Sequence, residues 1–408
     1  MQRTLGSAMA GREPRTIFDG LLAKSHVQHA LVQSDGQYNE LPFELTTLIF
    51  IGASPDQLRA AYESITRNMA PWEPSARSIA DEEAKNCFLA DARFQRAYMT
   101  YFSMEHVRFA GNTKSLVLSQ VFTGDKPLIC GLFSGIGRAL TLLADGIELR
   151  SAILVMESLT LSAVDWMEPM NELLTHPQLA LPPDSYLSPE DILGRVAYDG
   201  RFSGVMKAGP GFHGISYVFS SPDAKAAIIQ YLRHLDSRNV DLMLQQTSAL
   251  SAMLLGATHK PGQPAFDLYL SRLPTCVNSI RVIVENWVES DSHKILLVRG
   301  LWLIMLLAYV TQLRPAIDGK LLVSEELAED NRGWEALVEH VLGQNAAGGN
   351  NRCDPNFLRA LRSLRELSTA YGAIYGRVYL HAAWKLVKQW HGWTGLGIDR
   401  EVMLNIRL

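Results

Sequence analysis

The chain has 408 residues, 47% of them hydrophobic and 20% charged, values ordinary for a globular protein able to bury a large core. Its formal net charge of -4 argues against a dedicated nucleic-acid binder, because phosphate contact needs a basic surface. Cys87, Cys130, Cys276 and Cys353 are far apart and form no CxxC or disulfide framework, so a reducing cytoplasm is the expected location.

The opening MQRTLGSAMAGREPRTIF has no continuous apolar stretch and does not read as a signal peptide. His26 and His29, three apart, would share one face of a helix. Without a carboxylate or a third ligand the pair fits surface or capping chemistry better than a metal site. Ser54-Pro55-Asp56-Gln57 is a capping box with proline at the first helical position, and Leu58, Ala61, Tyr62 and Ile65 follow at helical spacing.

Ile129 to Leu140, ICGLFSGIGRAL, is similar to the glycine-rich turn of short-chain dehydrogenases. No strand signal precedes it and no Tyr-x-x-x-Lys pair occurs, so a tightly packed, glycine-tolerant helix is the better reading. Ser134 also lacks a G-x-S-x-G elbow.

Further along, Ser188-Pro189-Glu190-Asp191 repeats the capped start, with Leu187 and Ile192 spaced as a hydrophobic staple. In GFHGIS, His213 is placed to act as a general acid or base, or simply to bond to backbone. Ser221-Pro222-Asp223 opens a stripe of Ile228, Leu232 and Leu235, and Asp354-Pro355 one of Leu358, Leu361 and Leu364. The most apolar run, Gly300 to Leu313, is about half to two-thirds of a membrane span, and Arg299 and Arg314 flank it, so it reads as a buried core helix of a soluble protein. Breaks fall at Leu179 to Ser188, Gly256 to Ala265 and Gly343 to Pro355. Period-2 alternation is nearly absent, so the expected fold is all-α, a single large helical domain over residues 1–408.

Four segments carry a resemblance. Gln37 to Glu63, QYNELPFELTTLIFIGASPDQLRAAYE, resembles HNHxxHHLLxxYxLGAxxxQLxxAYD, the opening signature of questin oxidase-like proteins. Gly131 to Asp165 is similar to that family's GLxHPLIHLGYxxE segment followed by EALAxxAVH. Phe266 to Thr275, FDLYLSRLPT, resembles DFFLMHxVT, and Asp354 to Arg359, DPNFLR, resembles DEHxxK. The resemblance implies an oxidative tailoring enzyme of secondary metabolism acting on anthraquinone-like polyketides, with the four segments converging on one central cavity. It also implies a non-haem iron held by histidines, with NADPH as a further candidate cofactor.

This chain departs from the pattern at the histidine positions. It has Tyr38, Glu40, Phe43 and Glu44 in the first segment, Ser134 and Arg138 in the second, Arg272 in the third, and Asn356 with Arg359 in the lysine place in the fourth. Arginine has no lone pair to give a cation, so neither Fe(II) nor another metal is expected there, and no cofactor is assigned.

Two readings stay open. In one, Arg138, Arg272 and Arg359 bind an acidic aromatic substrate and stabilise developing negative charge. Tyr38, Glu40 and Arg272 are then the candidate catalytic residues, Glu40 as general base, and Ser134, Arg138, Asn356, Arg359 and Glu44 the candidate substrate contacts. In the other, arginines and carboxylates neutralise one another in a filled cavity, and the protein is a non-catalytic binding protein or partner subunit. The expected partner is a small aromatic molecule, not nucleic acid or membrane.

Overall fold

Proline-led caps shape the molecule locally, and each one read from the sequence is present. In the computed structural model, which describes residues 12–34, 36–67, 69–207, 209–322, 332–346 and 354–396, Ser54 Oγ accepts from Gln57 N at 3.3 Å. Ser54 N in turn donates to Gln57 Oε1 at 2.8 Å, completing the capping box. Ser188 and Ser221 accept from Asp191 N and Ala224 N, and Asp354 Oδ1 from Phe357 N. The stripes behind them are buried, among them Leu58, Ile228, Leu232, Leu358 and Leu364.

The fold is all-α. Among the described residues, strand structure is confined to Phe266–Asp267 and Trp393–Thr394, which pair in parallel, and to isolated bridges. The breaks after Leu179 and after Gly256 are non-helical past residues 180 and 256. In the third, residues 343–346 end the helix Trp334–Ala346, and 347–353, with Cys353, lie outside the described residues. Cys87, Cys130 and Cys276 are free thiols.

The chain divides into two compact units. The first comprises residues 1–168, 279–293 and 342–362; the second comprises 169–278, 294–341 and 363–408. In the first unit the helices include α1 (Arg12–Gln28), α2 (Leu41–Ile51), α3 (Pro55–Thr66), α4 (Glu82–Cys87), α5 (Gln95–Arg108), α6 (Thr113–Phe122), α7 (Ile129–Leu149) and α8 (Ala152–Val164), joined by the end of Leu273–Asn286 and the opening turns of Pro355–Tyr375. The second unit includes Pro189–Tyr198, Pro222–His234, Val240–Gly256 and Val378–Gln389.

α7 and α8 form a helical hairpin turned by Arg150 in the left-handed region (φ 49°) and capped by Ser151. They pack so closely that a Cβ on Gly131 would lie 1.8 Å from the Ser162 carbonyl oxygen, and one on Gly146 2.7 Å from Val155 Cγ2.

Helices α7 and Asp291–Thr311 are long and apolar enough to cross a membrane. Yet 89% and 78% of their most apolar windows are buried within the fold, as in core helices of soluble proteins.

The hairpin contact predicts opposite outcomes for two glycines. Gly131→Ala meets backbone and should destabilise by about 1–3 kcal/mol or more. Gly194→Ala, in the helix Pro189–Tyr198 with nothing within 4 Å of its would-be Cβ, should stabilise by about 0.5–1 kcal/mol. Thermal denaturation of both variants against the parent measures the contrast.

Candidate active site

The site is built around a break in α7. Ser134 turns to ψ 160°, and Gly135, Ile136 and Gly137 all adopt left-handed backbone (φ 55°, 53° and 67°) before the helix resumes at Arg138. Glycine accepts this conformation without cost, but a β-branched residue there is strained and must be held by its surroundings. Ile136 is fully buried. The expected tight glycine-tolerant helix is therefore present at Gly131 and Gly146 and interrupted between them. Ser134 Oγ donates to the Cys130 carbonyl at 3.3 Å, which satisfies the hydroxyl within the helix.

Beside this break four polar side chains meet. Arg138 Nη1 donates to Glu40 Oε1, and its guanidinium lies 4.3 Å from the centre of the Tyr38 ring. The Tyr38 hydroxyl donates to Asp165 Oδ1 at 3.0 Å. Asp165, the C-cap residue of α8, is half-buried, and its Oδ2 is a buried atom with no hydrogen-bond partner among the described residues. A Cβ on Gly135 would lie 3.4 Å from the Tyr38 hydroxyl and 3.9 Å from that Oδ2, so the glycine packs directly against the cluster. Burial pushes the Asp165 carboxyl up to about 6, against the opposing pull of the Tyr38 hydrogen bond and the Arg138 charge. Tyr38, Glu40 and Arg138 remain partly exposed.

A second network, buried except at Glu148, lies beside Phe43. Arg359 donates to Asp145 Oδ2 at 2.7 Å, to Thr46 Oγ1 at 2.6 Å and to the Phe43 carbonyl at 2.5 Å. Arg362 donates to Asp145 Oδ1 at 2.6 Å and also to Glu148. Burial alone would raise the Asp145 pKa, but the two guanidiniums hold it below the ordinary carboxylate range. Glu44 shows the reverse. Burial, with Asp354 and Glu40 nearby, pushes it up to about 8, so it is a neutral acid at pH 7.

Of the residues singled out from sequence, Tyr38, Glu40 and Arg138 are in direct contact. Ser134 begins the break beside Arg138. Arg359 joins through Phe43, whose ring lies 5.1 Å from the Arg359 guanidinium and 5.6 Å from that of Arg138. Glu44 is buried on α2, and Asn356 is half-buried in the first turn of Pro355–Tyr375. Three of the four matched segments lie in the first unit; Phe266 to Thr275 lies in the second. There Arg272 caps the short helix Leu268–Ser271. His26 and His29 do not act as a pair, since His26 leaves the end of α1 for Glu157 while His29 sits beyond the helix. The His213 side chain lies outside the described residues.

Sequence reasoning missed Asp165, Asp145, Glu148 and Arg362. Asp165 had a signal: aligning ESLTLSAVD with EALAxxAVH puts it on that segment's closing histidine position. Asp145 with Glu148 and Arg359 with Arg362 share one spacing, three residues, which lets two helices pair two charges against two.

The resemblance implies a histidine-bound metal, and the donors present do not fit one. The corresponding positions carry guanidiniums already bonded to Glu40 and Asp145, a hydroxyl bonded to backbone and a neutral carboxyl. Among the described residues no group of three or more His, Cys, Asp or Glu side chains is placed to hold an ion.

A family model described as questin oxidase-like matches residues 38–364. A search of curated proteins gives no match.

Two stability experiments probe these environments. Arg359→Ala removes one of the two guanidiniums on buried Asp145, leaving Arg362 alone against it, and should cost about 3 kcal/mol. Glu40→Gln, at a partly exposed pair, should cost less than about 1 kcal/mol. Chemical denaturation compares them directly. The second experiment concerns Glu44, whose pKa rises from 4.5 to about 8 on folding. Between those values the folded state holds a proton that the unfolded state releases. Its contribution to stability is therefore complete below pH 4.5 and lost as pH rises through about 8. Denaturation midpoints should fall across this window and flatten in Glu44→Gln.

Proposed function

Because the chain belongs to the questin oxidase-like family, we propose that it is an oxidase-type tailoring enzyme of secondary metabolism. Its substrate in this reading is an aromatic or polycyclic, polyketide-like molecule with an acidic hydroxyl or carbon. Family membership supports the oxidase-type class; the substrate and mechanism rest on the cluster beside the α7 break. The observation that carries the reading is Asp165, a half-buried residue whose Oδ2 is buried and unpartnered, held between Tyr38 and Arg138.

A carboxyl pushed up to about 6 is ionised at neutral pH yet more basic than an ordinary aspartate, which suits a general base. Asp165 Oδ2 takes the proton, and the electron pair stays on the substrate as a phenolate or enolate. Tyr38 holds the carboxylate in orientation through Oδ1. Arg138 offers the charge that stabilises the developing oxyanion, since one bond to Glu40 leaves other N–H donors on the guanidinium. Glu40, expected as the base, serves here to position Arg138. The deprotonated, electron-rich ring then reacts with dissolved O2 as electron acceptor, or rearranges without redox change. Neither route calls on iron or NADPH.

The second reading, a binding protein that kept the fold and lost the chemistry, is favoured by one observation. Arg359 is engaged by Asp145, Thr46 and the Phe43 carbonyl inside the fold, as a cavity-filling network would be.

Aerobic incubation with a trihydroxyanthraquinone, followed by O2 uptake and product mass, tests the two. The enzyme reading expects turnover that rises with pH through about 6 and falls about 100-fold or more in Asp165→Asn. An Asp165→Asn variant as active as the parent sinks the mechanism. Binding without turnover, in air and without it, supports the second reading.

A further inference from the structure

His26 lines a groove that no part of the foregoing chemistry uses. The groove encloses about 460 Å³ between α1 and α5, and its walls include Val27, Arg96, Met99 and Met104. Behind it Glu157, on α8, is 1% exposed, and its Oε1 sits 3.0 Å from His26 Nδ1. The other oxygen, Oε2, is buried without a partner. Burial raises the Glu157 pKa, and a protonated Glu157 donating to His26 Nδ1 fixes the ring and puts its hydrogen on Nε2, a donor for a ligand. Among the described residues, Nε2 has no hydrogen-bond partner.

The second polar element is Arg96. Its guanidinium stacks 5.2 Å from the Trp72 ring centre, and it has no carboxylate partner among the described residues. Trp72 is in turn tied to α1 by Nε1–H donating to the His26 carbonyl at 2.8 Å, which joins the two polar elements into one framework. No carboxylate lines the groove. The remaining wall is mostly apolar and open, with Met104 50% and Val27 67% exposed, and its hydroxyls, Thr100 and Ser103, bond back to the α5 carbonyls of Arg96 and Met99. Methionine adapts to irregular ligands, and exposed apolar side chains gathered around a cation favour an amphipathic anion.

We propose that this groove is a binding site for an organic monocarboxylate on an apolar body, its carboxylate held by Arg96 and His26 and its body lying on Val27, Met99 and Met104. One guanidinium and one imidazole match a single negative charge better than a phosphate dianion. The body is an acyl chain or a fused aromatic ring, two sources of the same chemistry.

Isothermal titration of the full chain with dodecanoate and with 2-naphthoate tests this. At least one acid should bind at one per chain, with the matching alcohol, dodecanol or 2-naphthalenemethanol, weaker by about tenfold or more. Arg96→Ala should lose about tenfold in affinity while Arg96→Lys keeps most of it. Met104→Asp, at a half-exposed position where folding is insensitive, should also weaken binding. Saturation by dodecanoate alone identifies an acyl chain, and by 2-naphthoate alone an aromatic acid. Equal binding of acid and alcohol, parent-like affinity in both Arg96→Ala and Met104→Asp, or no binding of either acid overturns the proposal.

Discussion

Asp145 is enclosed by two guanidiniums, and that arrangement ties together stretches of chain far apart in sequence. Arg359 and Arg362 come from the start of Pro355–Tyr375, Asp145 from the second half of α7, and Thr46 with the Phe43 carbonyl from α2. A buried ion pair of this kind adds little net stability over a hydrophobic isostere, but it is costly to break from one side. Its effect is therefore one of register, because α2 and α7 must meet where the donors and acceptors match. The partly exposed Tyr38, Glu40 and Arg138 sit on those same elements or just before them, so their geometry follows from the buried network.

The carboxyls of this unit show how far environment decides chemistry. Asp145, with two cations, is held ionised; Glu44, with burial and other carboxyls around it, is held protonated; Asp165 lies between them. Glu157 is also shifted upward by burial, with His26 opposing. The left-handed run in α7 adds the geometric half of the argument. It ends one helix and starts another at Arg138, and Gly135 keeps a side chain away from Asp165. Strained backbone of this kind persists only where packing over-determines it, here around the buried Ile136.

Much of the fold was legible in the sequence. Helix starts are local events, in which a serine or aspartate before a proline meets the free N–H groups of the next turn without reference to distant residues. The all-α class, the capped starts and the resemblance over most of the chain all follow from short-range pattern. The replacement of histidines by arginines and carboxylates was equally visible, as was the poor match of such donors to a metal.

Which charge meets which was not legible. Glu40 finding Arg138, and Arg359 finding Asp145 rather than a glutamate of the first segment, depend on contacts between residues roughly 100 to 200 apart in the chain. The break at Gly135 to Gly137 was hidden for a related reason. Glycines in an apolar run fit a close-packed helix and a left-handed turn equally well, and only the packing of α8 and the buried Ile136 decide between them. His26 likewise carried no mark of Glu157, 131 residues away. Sequence by itself determined the helices, their caps and the chemistry of the side chains available, because those depend on near neighbours. Tertiary structure alone decided the partners, the burial and hence the protonation of each carboxyl, because desolvation and ion pairing act through space.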